Sequence, residues 1–113
     1  MKNNLPFVAL CLLVLFISAR QPIETFDKIQ VREFELIDDK GTPRVSIKVE
    51  NDGEVMFRMF DGSHTIRVKL GGGKDGSGLV LMDDETNPGV QILSKQEGGK
   101  VNLVDGNGKK REF

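Results

Sequence analysis

Four aspartates, Asp38, Asp61, Asp83 and Asp105, recur at almost equal intervals along the chain, and each stands among similar neighbours. Two positions before them are Leu36, Met59, Leu81 and Leu103, and two before those are Phe34, Phe57, Leu79 and Val101. Six positions after them come Arg44, Arg67, Gly89 and Arg111. A regular period of this kind marks a chain assembled from copies of one supersecondary unit, each too small to bury its apolar face alone.

Within each unit the apolar residues alternate, break at a turn, and alternate again. Val45, Ile47 and Val49 follow the first aspartate; Ile66, Val68 and Leu70 follow the second; Val90 and Ile92 follow the third. Period-2 alternation over about five residues is the signature of a half-buried strand. Turn formers fill the breaks: Lys40-Gly41-Thr42-Pro43, Asn51-Asp52-Gly53, Asp61-Gly62-Ser63, Asn87-Pro88-Gly89, Gly98-Gly99 and Asp105-Gly106-Asn107-Gly108. Gly71 to Gly78 reads as a mobile or bulged hairpin loop. All 13 glycines fall after residue 40 and no alanine follows Ala19, which disfavours helix. The expected fold is all-β. Four hairpin repeats of about 22 residues, some eight short strands, form a meander, barrel or sandwich over residues 31–113.

The residue just before each aspartate is also apolar: Ile37, Phe60, Met82 and Val104. Alternation sends these to the face opposite Leu36, Met59, Leu81 and Leu103, so the first strand of each unit is apolar on both sides. Such strands either lie between two layers or present an apolar stripe to a partner. On the first reading each copy buries its side chains against its siblings. On the second, Ile37, Phe60, Met82 and Val104 are the partner-binding residues.

The amino terminus is different. Leu5 to Ala19 is an unbroken run without a charge, preceded by Lys2 and ended by Arg20. A basic start followed by an apolar stretch of this length is the pattern of a secretory signal. The run is shorter than the ~20 residues of a membrane span. Ala19 can stand before a cleavage point, although Ile17, three positions from the cut, is not small. An uncleaved signal-anchor holding the membrane through residues 5–19 is the competing reading. Both readings divide the chain into a leader (1–19), a linker (20–30) and a β-repeat domain (31–113), exported to the outside of the cytoplasm. Cys11, the single cysteine, lies inside the leader behind Leu10 rather than behind the small residue a lipidation site needs. Once the leader is removed, no disulfide stabilises the domain.

Chemistry-bearing residues are sparse. Sixteen Lys and Arg face 17 Asp and Glu, for a formal net charge of −1, which argues against a broad nucleic-acid surface. His64 is the only histidine and sits at a predicted bend beside Ser63, where it reads as a solvated turn residue; no catalytic residue is expected. No His/Cys cluster suits a transition metal. Calcium is the metal worth weighing, because Asp38, Asp39, Asp83, Asp84 and Asp105 occupy bends and hard cations take six to eight oxygens. Against it, Asp105-Gly106-Asn107-Gly108-Lys109 carries lysine where a loop ligand belongs, and an aspartate in a turn commonly accepts bonds from its own backbone. Gly73-Lys74-Asp75 lacks the spacing of a phosphate-binding loop, and no cofactor is expected.

The pattern Phe34-x-Leu36-x-Asp38-x-x-Gly41-x-x-Arg44, preceded by Arg32-Glu33, resembles repeats in exported or membrane-anchored bacterial β-repeat proteins of unassigned role. It is more loosely similar to the tyrosine-aspartate type of β-hairpin repeat of cell-surface and toxin-shell proteins, with Phe, Met, Leu or Val in place of tyrosine. The resemblance covers residues 31–113 and implies β-repeat architecture without an activity. The expected function is therefore a non-enzymatic structural or binding module at the cell envelope, acting through a protein partner or self-association. A calcium-dependent adhesion module using the turn carboxylates is the alternative, and a hydrolase of envelope polymers a more distant one.

Overall fold

In a computed structural model, residues 4–18 and 22–113 are described. The chain divides into two units, Met1–Gln30 and Val31–Phe113. The first contains helix α1, Leu5–Ser18, whose 14 residues carry no acidic group in the first turn and no basic group in the last. At 1.5 Å per residue it extends about 21 Å, against a hydrocarbon thickness of about 30 Å. No helix among the described residues is long and apolar enough to cross a membrane. The cleavage point at Ala19 and the flanking Lys2 and Arg20 lie outside the described residues.

The second unit is one antiparallel sheet of eight strands in sequence order: β1 (Glu33–Ile37), β2 (Pro43–Val49), β3 (Val55–Phe60), β4 (Ile66–Gly73), β5 (Gly76–Met82), β6 (Pro88–Lys95), β7 (Gly98–Val104) and β8 (Lys110–Glu112). The order is open, because β1 pairs only with β2 and β8 only with β7. The meander is thus the arrangement formed, and the sheet does not close into a barrel.

Register follows the apolar pattern. Phe34 opposes Ile47, which opposes Phe57, and the row continues through Leu70, Leu79, Ile92 and Val101. Leu36, Val45, Met59, Val68, Leu81, Val90 and Leu103 form the adjacent row on the same face. The register shifts at Leu36/Ile37, Met59/Phe60 and Leu81/Met82, leaving Arg44, Arg67 and Gly89 as the extra residues of three bulges. The fourth hairpin has no bulge. Leu103 pairs directly with Arg111, so Arg111 stands on the apolar face and is not the structural counterpart of Arg44 and Arg67.

Each aspartate turn is fixed from within. Gly41 N–H donates to the Asp38 carbonyl and Asp38 N–H to that of Thr42, both at 3.0 Å. The Asp38 carboxylate accepts the N–H groups of Lys40 and Thr42 at 3.0 Å each. Asp61, Asp83 and Asp105 accept the corresponding pairs at 2.8–3.0 Å. The position before the last turn residue takes a left-handed backbone, at Gly41 (φ 78°), His64 (63°), Thr86 (66°) and Gly108 (78°).

The Gly71 to Gly78 stretch is not a loop: Gly71–Gly73 and Gly76–Gly78 pair along β4 and β5 around the two-residue turn Lys74-Asp75. Strand propensity misreads it because neighbours occupy the space a side chain would take. A Cβ on Gly71 would lie 2.9 Å from Met56 Cε, and one on Gly78 would lie 2.7 Å from Leu93 Cδ2. Gly98 and Gly99 likewise begin β7 after a turn at Gln96-Glu97.

Thr86 is β-branched and left-handed, a combination that costs on the order of 1 kcal/mol or more. Thr86→Gly is expected to raise the thermal midpoint by about 4–8 °C per kcal/mol recovered. His64→Gly should gain less, because its ring stacks on Phe60 and that contact is worth about 0.5–1.5 kcal/mol. Calorimetry of the two variants checks both.

Candidate interaction face

Within residues 31–113 the sheet has no second layer. No hydrophobic side chain among the described residues is buried, and the buried residues are Ser46 (7% exposed) and Asn102 (4%), both polar. The column expected to form the core is open instead: Leu36 is 53% exposed, Met59 42%, Leu81 39% and Leu103 37%. Alternation correctly sorted the side chains onto one face, but the expectation that copies bury them against each other is overturned. Consecutive hairpins add strands to the edge of the same sheet, so their side chains stand beside one another without being covered.

This face is apolar along nearly every strand. Besides the two rows it includes Val49, Val55 and Phe113, all exposed. Arg111 is the single charged strand residue in its register, on the outermost strand. The opposite face is polar at its centre. Ser46 there pairs with Arg58, and Arg58 with Lys69. Arg58 is drawn to Glu50, Lys100 to Glu112 at 3.0 Å, and Asn102 Nδ2 donates to Gln91 Oε1 at 3.3 Å.

Ile37, Phe60, Met82 and Val104 lie on this second face, at the end carrying the aspartate turns. They pair with Pro43, Ile66, Pro88 and Lys110. Ile37 and Val104 are exposed; Phe60 and Met82 are half-buried. The His64 ring lies flat on Phe60, with centroids 4.6 Å apart and planes within 5°. Arg44 Nε donates to the Phe60 carbonyl at 3.1 Å. The structure therefore holds apolar stripes on both faces, of which the longer, through Phe34, Ile47 and Leu70, was expected to be core.

The turn carboxylates are already engaged. Arg44 stands 3.6 Å from Asp38, and Arg67 3.7 Å from Asp61. Gly89 leaves the third turn without its own arginine, and there Asn87 Nδ2 donates to Asp83 at 3.1 Å. Asp38, Asp61 and Asp83 titrate below the usual carboxylate range, chiefly because the backbone N–H groups of Thr42, Thr65 and Asn87 bond the charged form. Adjacent aspartate turns recur every second strand, a spacing of roughly 10 Å, too wide for one ion with ligands at ~2.4 Å. No group of three or more His, Cys, Asp or Glu among the described residues is placed to hold a metal ion. Asp38, Asp83 and Asp105 are thus kept apart, and Asp39 and Asp84 stand exposed beside two of them.

No protein-family model matches the chain, and no curated protein is similar to it in sequence.

The carboxylate shifts have a definite sign. A carboxyl whose folded pKa is depressed contributes stability above its unfolded value, near 3.9, and loses it as pH falls through the lower folded value. The thermal midpoint is expected to stay flat from pH 7 to about 5 and to fall below about pH 4, with a shallower fall in Asp61→Ala. Melting across that range checks it.

Proposed function

We propose that residues 31–113 are four copies of one short hairpin unit, forming a non-enzymatic structural or binding module at the cell envelope. The observation that carries this reading is an eight-stranded sheet that leaves its apolar side chains uncovered on both faces. Contiguous apolar surface on this scale belongs to interaction sites, since a soluble single layer gains little by exposing it. The uncharged run from Leu5 to Ala19 supports export. The stripe Ile37, Phe60, Met82 and Val104 meets the envelope partner, at the end where the turn arginines and aspartates add polar contacts around an apolar strip.

Two measurements test the reading. Alkaline phosphatase fused after Phe113 is expected to be active, as it is only outside the cytoplasm; an inactive fusion of normal abundance removes the export claim. Phe60→Glu is expected to abolish cross-linking of the chain to its envelope partner while its β-sheet circular dichroism is retained. Loss of the β signal in that variant would assign Phe60 to holding the sheet together.

A further inference from the structure

The apolar face built on Phe34, Ile47, Met59, Leu70, Leu81 and Ile92 lies opposite the stripe just assigned to the envelope partner, and a different occupant fits it. We infer that this face is covered by the same face of a second copy of the chain, giving a two-layer sandwich from two single-layer sheets. The inference rests on the reading of residues 31–113 as a binding module and adds how that module is completed.

Area supplies the first argument. Eight strands at ~4.8 Å spacing make the face about 34 Å wide, and strands of about six residues make it about 20 Å long. Two such faces pressed together remove roughly 1,300 Å² from water, which falls in the range of a stable, specific interface. A single helix about 10 Å across covers only about a third of that width, whereas another eight-stranded sheet covers all of it.

Charge supplies the second. Apart from the bulge residues Arg44 and Arg67, which stand at the end with the aspartate turns, the strand residues in register on this face carry one charge, Arg111, on the outermost strand. A two-fold axis in the plane of the interface passes near the centre, between β4 and β5, where Val68 and Leu70 face Leu81 and Leu79. Copy therefore meets copy without like charges opposed at the centre, and Arg111 stays at the wet rim. A lipid surface would be met by a ring of cations around the apolar patch. Here the lysines Lys48, Lys69 and Lys100 belong to strand positions of the other face.

Sheets packed face to face stand about 10 Å apart, so residues near the axis come within reach of a short cross-linker. In a full-length Cys11→Ser background, Leu70→Cys and Leu81→Cys place single thiols on this face. Lys69→Cys and Val80→Cys place them on the other face of the same two strands. Intact cells are treated with a short membrane-permeant bismaleimide, which joins thiols in any compartment, so failure of the export reading leaves the result unchanged.

The expected result is a species of twice the chain mass from Leu70→Cys and Leu81→Cys and not from the two controls. Adding Met59→Glu to either should lower its yield about tenfold, as loss of a central interface anchor does. Resistance to protease in the same samples reports folding, and Leu70→Cys and Leu81→Cys serve as independent probes. Equal cross-linking from both faces, no doubled species from either apolar position, or an adduct of another mass overturns the inference.

Discussion

The pairing register carries this structure, and short-range hydrogen bonds at the turns set it. Each recurring aspartate accepts two amides of its own turn, which fixes where one strand stops and the next begins. In a sheet, a slip of one residue moves every side chain to the opposite face. A layered protein resists that slip with its core. Within one copy of residues 31–113 no second layer opposes it, so the turn bonds and the cross-strand pairs specify the arrangement. The recurring aspartate is for that reason a structural element before it is anything else, and Arg44 and Arg67 add a weak, solvated reinforcement.

The polar face shows how a single layer limits its own exposure. Gly71 and Gly78 face each other across β4 and β5, and Met56 and Leu93 from the flanking strands lie over the space they leave. Asn102 and Ser46, the buried residues among those described, stand in the row that also holds Arg58, Lys69 and Gln91. Long side chains from neighbouring strands shelter short polar ones, so hydrogen-bonding groups become the best-covered part of the sheet. The aliphatic rows on the other face have no such shelter.

The all-β character and most strand positions were legible because each rests on local chemistry, whereas the pairing order was left open between meander, barrel and sandwich. Alternation marked Phe34 to Ile37 and its counterparts, and clusters of turn formers such as Lys40-Gly41-Thr42-Pro43 and Asp105-Gly106-Asn107-Gly108 marked the bends. Other features were not legible. The glycines of β4 and β5 read as loop because the compensating contacts come from Met56 and Leu93, on the next strands out and beyond the reach of any local pattern. Whether Leu36, Met59, Leu81 and Leu103 are covered was equally hidden, since alternation states which side a residue takes and nothing about what lies beyond it. The repeat column also misled at its last member: Arg111 aligns with Arg44 and Arg67, yet without a bulge it stands in register opposite Leu103.

That placement has a consequence for solubility. An open meander ends in two strands with free backbone groups, and flat greasy sheets with free edges stack and grow into fibrils. Here β8 is three residues long, its sequence is Lys-Arg-Glu, and the absent bulge plants a guanidinium among the aliphatic side chains at the margin. At the opposite margin, Glu33 and Glu35 alternate with Phe34 and Leu36. A strand adding beside β1 or β8 meets those charges at once, so the same irregularity that sets Arg111 in register also discourages edge-to-edge pairing.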